Sequence, residues 1–181
     1  MNRAAIRAGV CLLLLAGCAS AGKIGAGIPP AAHREEILAV VDAMLLALAT
    51  SDADAVERLY SSVAVNVIAE PEKGAAVRYR PAAVMVERMR KGEFPKFHER
   101  YWDPIVHERG GLAVVWTPYS LDEGGARVHC GVDIFNLSKH DEGWKVDAFS
   151  FTMEPTACDE IKPGAASIVR PDFSALDAKE N

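Results

Sequence analysis

Reactive side chains are concentrated in the segment VHCGVDIF, residues 128–135, which contains His129, Cys130 and Asp133. An imidazole, a thiol and a carboxylate are the groups of a zinc site, a thiol nucleophile or an acid/base pair. Side chains alternate along a strand, so His129 and Asp133 share one face and Cys130 lies on the other. Four strand residues separate His129 from Asp133 by about 13 Å of backbone, which is too far for one zinc ion. We therefore expect no metal and no cofactor here.

The amino terminus indicates the compartment in which Cys130 would react. Arg3 and Arg7 precede an apolar run from Val10 to Ala16, which is too short to span a membrane and is typical of a signal peptide. The run ends in LAGC, which resembles the lipobox of bacterial lipoproteins and implies cleavage before Cys18 and a lipid anchor on that residue. Ala19 replaces the aspartate that retains lipoproteins at the inner membrane, so we expect an outer-membrane protein that faces the periplasm. The alternative is an ordinary secretory signal with a chance cysteine.

An oxidising compartment changes the interpretation of Cys130. Beyond Cys18, the mature chain has two cysteines, Cys130 and Cys158, and an even count in such a compartment favours a disulfide. The bond would tie the carboxyl-terminal tail to the sheet. The alternative is a pair of free thiols with Cys130 buried.

Charge and length restrict the class of protein. Removing residues 1–17 leaves 18 Lys and Arg against 25 Asp and Glu, a net charge of −7. Phosphate binding needs basic clusters, so we expect no nucleic-acid partner. Residues 18–31 are small and loop-forming and indicate a flexible tether, residues 32–158 suit a single domain, and residues 159–181 indicate a largely irregular tail.

The order of the elements predicts the fold class. Apolar residues at three- and four-residue spacing in REEILAVVDAMLLALAT predict a helix, which a second short helix follows. Two short strands and a helix in PAAVMVERMRKGE come next. After Gly92, aromatic and β-branched segments alternate with the turns RGG, DEGGA and HDEG, which indicates long hairpin strands. Helices followed by an antiparallel meander predict an α+β fold.

This order of elements resembles the nuclear transport factor 2-like, or cystatin-like, superfamily over residues 32–155. The most specific part is GVDIFNL followed by DEGWKV, which is similar to the last hairpin of SnoaL-like and ketosteroid-isomerase-like members. The resemblance implies a cone-shaped domain, in which a strongly bent antiparallel sheet wraps around the amino-terminal helices and leaves a pocket at the wide end. Members include isomerases, dehydratases, polyketide cyclases and domains that only bind or associate, so the fold leaves the function open.

The last hairpin predicts a polar end to the pocket. With HDEG as the turn, Lys139 pairs with Trp144, and one face of the hairpin then ends in four polar residues, namely His129, Asp133, Ser150 and Thr152. A polar cluster that continues an apolar face is typical of a pocket lining. The opposite face of the hairpin is apolar enough that we expect it to be buried against a partner. The resemblance implies a homodimer through this outer sheet face.

Further candidates depend on a hairpin register that the sequence leaves open over residues 112–137. A three-residue tip in DEGGA turns Tyr119 into the pocket, whereas a two-residue tip turns Trp116 into it. Tyr60, Tyr101 and Trp102 are additional aromatic candidates for the pocket lining. Burial would raise the pKa of Asp133 and make it a plausible general base, assisted by His129 or Tyr119.

Three functions remain open at this point. The first is binding of a small, partly apolar ligand, with the His129–Asp133 pair as a structural hydrogen-bond network. The second is an isomerase, dehydratase or cyclase with Asp133 as the general base. The third is a non-catalytic association domain that acts through its outer sheet face.

Overall fold

The computed structural model describes residues 30–74 and 76–176. The predicted signal peptide, the predicted lipidation site Cys18 and nearly all of the predicted tether lie outside the described residues. Within the described ranges, none of the helices combines the length and the apolar character needed to cross a bilayer.

Three helices lie on one side of the sheet, namely α1 (Arg34–Ala49), α2 (Ala53–Leu59) and α3 (Ala82–Arg90). The predicted apolar face of α1 is confirmed, because Ile37, Leu38, Val41, Met44, Leu45 and Leu48 are all buried. Asp52 is the N-cap of α2, and its side chain accepts a hydrogen bond from the Ala55 amide at 2.9 Å. The helices thus cover the concave face of the sheet with apolar side chains.

Eight strands form one strongly curved, unclosed sheet: β1 (Tyr60–Ala69), β2 (Arg78–Pro81), β3 (His98–Trp102), β4 (Ile105–Arg109), β5 (Leu112–Glu123), β6 (Ala126–His140), β7 (Gly143–Thr152) and β8 (Val169–Arg170). The order across the sheet is β2-β1-β7-β6-β5-β3-β8, and β4 pairs with β5 beside β3. The α+β class is confirmed. The sheet is not wholly antiparallel, because β1 runs parallel to β7.

The hairpin between β5 and β6 decides which aromatic residue faces inward. Its tip is the two-residue turn Gly124–Gly125, whose φ values of 58° and 81° suit a type I′ turn. For a two-residue tip, we expected the side chain of Trp116 to face the pocket. That expectation is wrong, because a bulge at Val128 adds one residue to β6 and returns Tyr119 to the inner face.

A second bulge interrupts the hairpin between β6 and β7. The predicted pairing of Lys139 with Trp144 is confirmed, and the predicted register continues to Leu137. Beyond Leu137, β7 contains one extra residue, Asp147, and the pairing shifts by one position.

This one-residue shift exchanges the two faces of β7 from that point onward. Phe149 and Phe151 now lie beside Phe135 and Asp133 on the inner face, while Ser150 pairs with Ile134. The inward position predicted for Ser150 is therefore wrong.

The segment after β7 is tied back to the sheet. The predicted Cys130–Cys158 disulfide is confirmed, with a Cα–Cα distance of 5.1 Å. Farther along, β8 pairs with β3 and forms the edge of the sheet, and the buried ring of Phe173 stacks on His98 with a centroid distance of 4.6 Å. The tail predicted as largely irregular thus contains a short strand and a packed aromatic anchor.

Candidate functional site

A cavity of about 340 Å³ lies between α3 and the concave face of the sheet. Its walls are mostly apolar side chains from α1, α3 and six strands or their connections, including Ile68, Met85, Phe97, Leu121, Phe149 and Phe151. Phe149 and Phe151 reach this face because of the bulge at Asp147. The volume is at the lower end of the range for small-molecule sites.

Three polar side chains interrupt the apolar lining in the buried part of the cavity. Glu99, Asn66 and His129 all line it and are at most 5 % exposed. Glu99 on β3 pairs with Leu121 on β5, which pairs with His129 on β6. A carboxyl and an imidazole therefore lie in one row, two strand spacings or about 10 Å of backbone apart.

Glu99 forms a buried carboxyl pair with Asp133. Both Asp133 carboxylate oxygens and Glu99 Oε1 are fully buried, and no other described residue donates a hydrogen bond to them. Two carboxyl groups can hydrogen-bond each other only when one of them carries a proton. A proton held between the two carboxyls would give one of these buried oxygens a donor.

The electrostatics of this pair favour the protonated form. Burial raises the pKa of Glu99 to about 7, and a hydrogen bond with Asp133 acts in the opposite direction. Burial also raises the pKa of Asp133 well above its ordinary value, and the neighbouring charge of Glu99 raises it further. Of the two groups, Glu99 lines the cavity, while Asp133 lies behind it with no exposed surface.

His129 is held by a hydrogen bond that defines its tautomer. The hydroxyl of Tyr119 donates to the backbone carbonyl of Thr152 at 2.6 Å, so its oxygen accepts from Nδ1 of His129 at 3.0 Å. With Nδ1 protonated, Nε2 of the neutral ring is the acceptor nitrogen. Burial lowers the pKa of His129, and the charge of Glu70 opposes that shift. The cavity thus contains an imidazole whose pKa burial lowers and a carboxyl whose pKa burial raises to about 7.

Gly131 makes room for this arrangement. A Cβ atom at this position would lie 2.7 Å from Oγ1 of Thr152 and 2.9 Å from a ring carbon of Tyr119, and would also contact the backbone oxygen of Thr152. Glycine is therefore required here by the close approach of a strand and an aromatic ring.

Asn66 is the third polar group of the buried lining. Its Oδ1 accepts a hydrogen bond from the hydroxyl of Tyr60 at 2.7 Å, and its Nδ2 lies 3.8 Å from the sulfur of Met85. A thioether sulfur is a weak acceptor, so the Asn66 amide keeps donor capacity for a ligand.

The structure separates the residues that were predicted to form the site. Within the described residues, His129 is the one predicted site residue that lines the cavity. Tyr119 lies directly behind it, and Asp133 lies behind Glu99. The remaining predicted lining residues lie elsewhere: Tyr60, Tyr101, Trp102, Trp116, Ser150 and Thr152.

Each displaced residue has a local explanation. Tyr60 bonds to Asn66, and Tyr101 donates to the Asp42 carboxylate at 2.8 Å in the helix layer. The backbone carbonyl of Trp102 accepts from Thr117 at 2.7 Å, and Trp102 itself is buried. Trp116 is 41 % exposed on the outer face because of the Val128 bulge.

The sequence argument missed Glu99 and Asn66. Glu99 lies in HERYW, two residues before the inward-facing Tyr101, and strand alternation alone places both on one face. A glutamate on the inner face of a strand rich in aromatic residues could therefore have identified Glu99 as a site residue. Among the described residues, no group of three or more His, Cys, Asp or Glu side chains is arranged to hold a metal ion.

Comparisons with known proteins show the fold. No family model matches the chain, and no curated protein is similar to it in sequence. An NTF2-like protein with a cystatin-like fold from Novosphingobium aromaticivorans superposes with a TM-score of 0.53 at 14 % identity, covering 72 % of this chain and 89 % of that one. The chain thus has the nuclear transport factor 2-like, cystatin-like fold.

Two further solved structures have the same fold. A candidate dehydratase of the NTF2-like family from Streptomyces avermitilis has a TM-score of 0.52 and 15 % identity, covering 66 % of this chain and 95 % of that one. A candidate calcium/calmodulin-dependent protein kinase II association domain from Xanthomonas campestris has a TM-score of 0.54 and 20 % identity, covering 72 % and 94 %.

Proposed function

We propose that the protein binds a small, largely apolar ligand in the cavity between α3 and the sheet, and that the ligand carries one hydrogen-bonding group. The observation that carries this proposal is the contrast within the cavity between apolar walls and three buried polar side chains, Glu99, Asn66 and His129. Apolar walls provide the free energy of binding, and a few placed polar groups orient the ligand. A protonated Glu99 and the Asn66 amide donate hydrogen bonds, while Nε2 of His129 accepts one.

Native mass spectrometry of the purified protein tests this proposal. We expect a mass increment from a bound small molecule, and we expect it to disappear in Val84→Trp, which places an indole in the cavity lining at a half-exposed position of α3. Val63→Trp is the matched control, because Val63 is 80 % exposed on β1 and does not line the cavity. An increment that survives Val84→Trp, or the lack of any increment even after incubation with medium-chain alcohols, would contradict cavity binding.

A second candidate is an acid/base enzyme of the isomerase, dehydratase or cyclase type. The observation in its favour is that the cavity is lined by both an imidazole that donates through Nδ1 to Tyr119 and a buried carboxyl whose pKa is raised to about 7. His129 would remove a proton from the substrate, and Glu99 would donate one to a leaving hydroxyl or a carbonyl oxygen. Glu99 replaces Asp133 in the catalytic role, since Asp133 lies behind it. The candidate dehydratase from Streptomyces avermitilis shares the fold.

Elimination of water from a panel of β-hydroxy ketones, followed by ultraviolet absorbance of the conjugated product, tests this candidate. We expect turnover that Glu99→Gln and His129→Ala each lower at least a hundredfold, and that Tyr119→Phe lowers less because Tyr119 acts through His129. Turnover that is equal in Glu99→Gln and wild type would remove Glu99 from the reaction.

Association through the outer sheet face is also proposed, as a homodimer. Ile105, Trp116 and Ile134 form one row across β4, β5 and β6, and Ile105 and Trp116 are 49 % and 41 % exposed. An exposed apolar row of this kind favours an interface. Sedimentation velocity tests the proposal: we expect a dimer that Trp116→Lys converts to a monomer, and a wild-type monomer at micromolar concentration would contradict it.

The amino-terminal pattern supports a lipoprotein anchored at the outer membrane and facing the periplasm. Metabolic labelling with a fatty acid tests this, and we expect incorporation that Cys18→Ala abolishes. Cys11→Ala is the matched control, because Cys11 lies within the proposed leader. Labelling that persists in Cys18→Ala would contradict the proposed anchor.

A further inference from the structure

Two guanidinium groups lie at the cavity where its lining reaches solvent. Arg80 on β2 pairs with Asn66 on β1, and both residues line the cavity. Arg88 lies one helical turn after Val84 on α3, so these two side chains share the helix face that lines the same space. Arg80 and Val84 are exposed and Arg88 is half-buried, so both cations are within reach of a ligand that enters from solvent.

The charges of these two arginines are not neutralised within the fold. Neighbouring arginines have carboxylate partners: Arg78 pairs with Glu70, and Arg90 pairs with Asp54 and Glu57 on α2. The side chain of Arg80, in contrast, makes no hydrogen bond or ion pair with any described residue. Arg88 donates to the backbone carbonyl of Glu93 at 2.9 Å, which is a neutral acceptor.

The other charged groups of the lining do not balance them. Glu123 is the exposed acid of the lining, near the β5–β6 turn, and Glu99 is buried with a raised pKa. The lining therefore carries two guanidinium charges, against the carboxylate of Glu123 and the carboxyl of Glu99, whose pKa burial raises to about 7. Guanidinium groups bind carboxylates through paired, charge-assisted hydrogen bonds.

Apolar walls below these arginines complete the recognition surface. We infer that the ligand class is an amphipathic carboxylate, whose acid group binds Arg80 and Arg88, in addition to the hydrogen-bonding group that Glu99, Asn66 and His129 bind at the other end of its largely apolar body. This inference rests on the proposed ligand-binding function and adds the charge of the ligand. A volume of about 340 Å³ corresponds to about eleven water-sized groups, which suits an acid of roughly eight to ten carbons.

Isothermal titration with three probes of equal chain length tests this inference. The probes are octanoate, octanol and octylammonium, which share an apolar body and differ in charge. Near neutral pH we expect octanoate to bind at least tenfold more tightly than octylammonium. In the double variant Arg80→Gln/Arg88→Gln we expect octanoate affinity to fall roughly tenfold and octanol affinity to stay unchanged. Arg109→Gln, a control that removes one exposed guanidinium in β4 away from the cavity, is expected to bind as wild type does.

The probes separate failure of the inference from failure of the proposed function. If octanol binds but octanoate binds no more tightly than octylammonium, the cavity takes neutral ligands and the carboxylate inference is overturned. Octanoate affinity that is unchanged in the double variant would overturn it as well. If no probe binds the wild-type protein, the ligand-binding proposal fails together with the inference.

Discussion

Replacing Asp133 by Asn should change how the free energy of unfolding depends on pH. In the unfolded chain, Asp133 and Glu99 titrate near pH 4. In the folded protein burial raises the pKa of both groups, and for Glu99 the raised pKa is about 7. Between those values the folded state binds more protons than the unfolded state, so the free energy of unfolding decreases as pH rises.

The size of the effect follows from the proton held by the pair. One extra proton in the folded state lowers the free energy of unfolding by about 1.4 kcal/mol for each pH unit. For Glu99, the rise from 4.5 to about 7 corresponds to about 3 kcal/mol in total. In Asp133→Asn the amide donates a hydrogen bond to Glu99 without needing that proton. Burial keeps the pKa of Glu99 raised in both proteins, so the variant loses only the proton that Asp133 holds. We therefore expect its free energy of unfolding to fall less steeply than that of wild type as pH rises, by up to about 1.4 kcal/mol for each unit between about pH 5 and pH 8.

Urea unfolding at several pH values, with the disulfide intact, measures this difference. Burial lowers the pKa of His129, so this residue contributes the opposite slope below about pH 6.5, but it is present in both proteins and cancels in the comparison. Asp141→Asn, at the exposed β6–β7 turn, is the matched control and should show no pH-dependent difference. A difference between Asp133→Asn and wild type that stays constant across this pH range would refute a shared proton.

Three more substitutions test the surroundings of the cavity. Gly131→Ala should destabilise the protein by about 3 kcal/mol, because its Cβ would contact a strand backbone and a ring, and an unchanged melting temperature would contradict that packing. The double variant Cys130→Ser/Cys158→Ser opens a disulfide between residues 28 apart and should cost about 3.5 kcal/mol in urea unfolding; a loss under about 1 kcal/mol would mean that the tail is held by other contacts. Tyr119→Phe should reduce the Nδ1-protonated form of His129 in long-range ¹H–¹⁵N spectra, and a wild-type ring protonated on Nε2 would contradict the assigned tautomer.

Much of the fold follows from local pattern. The apolar spacing in α1 and the turns RGG, DEGGA and HDEG place the first helix and the long hairpins where the structure has them. The same local reasoning predicted the disulfide, because an even number of cysteines in an oxidising compartment restricts the pairing. The helix and the turns depend on residues that are close together in the sequence. The disulfide was predicted because the mature chain has two cysteines beyond Cys18.

The site was harder to predict because two single-residue bulges determine which side chains face the cavity. Val128 and Asp147 each shift a register by one position, which exchanges the inner and outer faces of a strand. Neither residue type favours a bulge by itself. The bulges bring Tyr119 and Phe149 into the buried core, and that packing is absent from any local window of sequence.

Glu99 shows a second reason why the site could not be fully predicted from the sequence. Its position on the inner face was available from strand alternation with Tyr101, but its importance depends on Asp133, 34 positions later in the chain. The pairing requires the order β3-β5-β6 across the sheet, which brings the two carboxyls together. Sequence spacing alone could not reveal a carboxyl pair built from two different hairpins.

Methyl-selective NMR during titration with a neutral medium-chain alcohol tests cavity binding most directly. The cavity lining provides the methyl groups of Ile68, Met85 and Leu121, while Ile105 and Leu112 provide exposed methyl groups that do not line it. If the ligand binds in the cavity, we expect saturable shifts at the first three residues and none at the last two. Shifts confined to Ile105 and Leu112, or no saturable shift at all, would contradict a ligand-binding cavity.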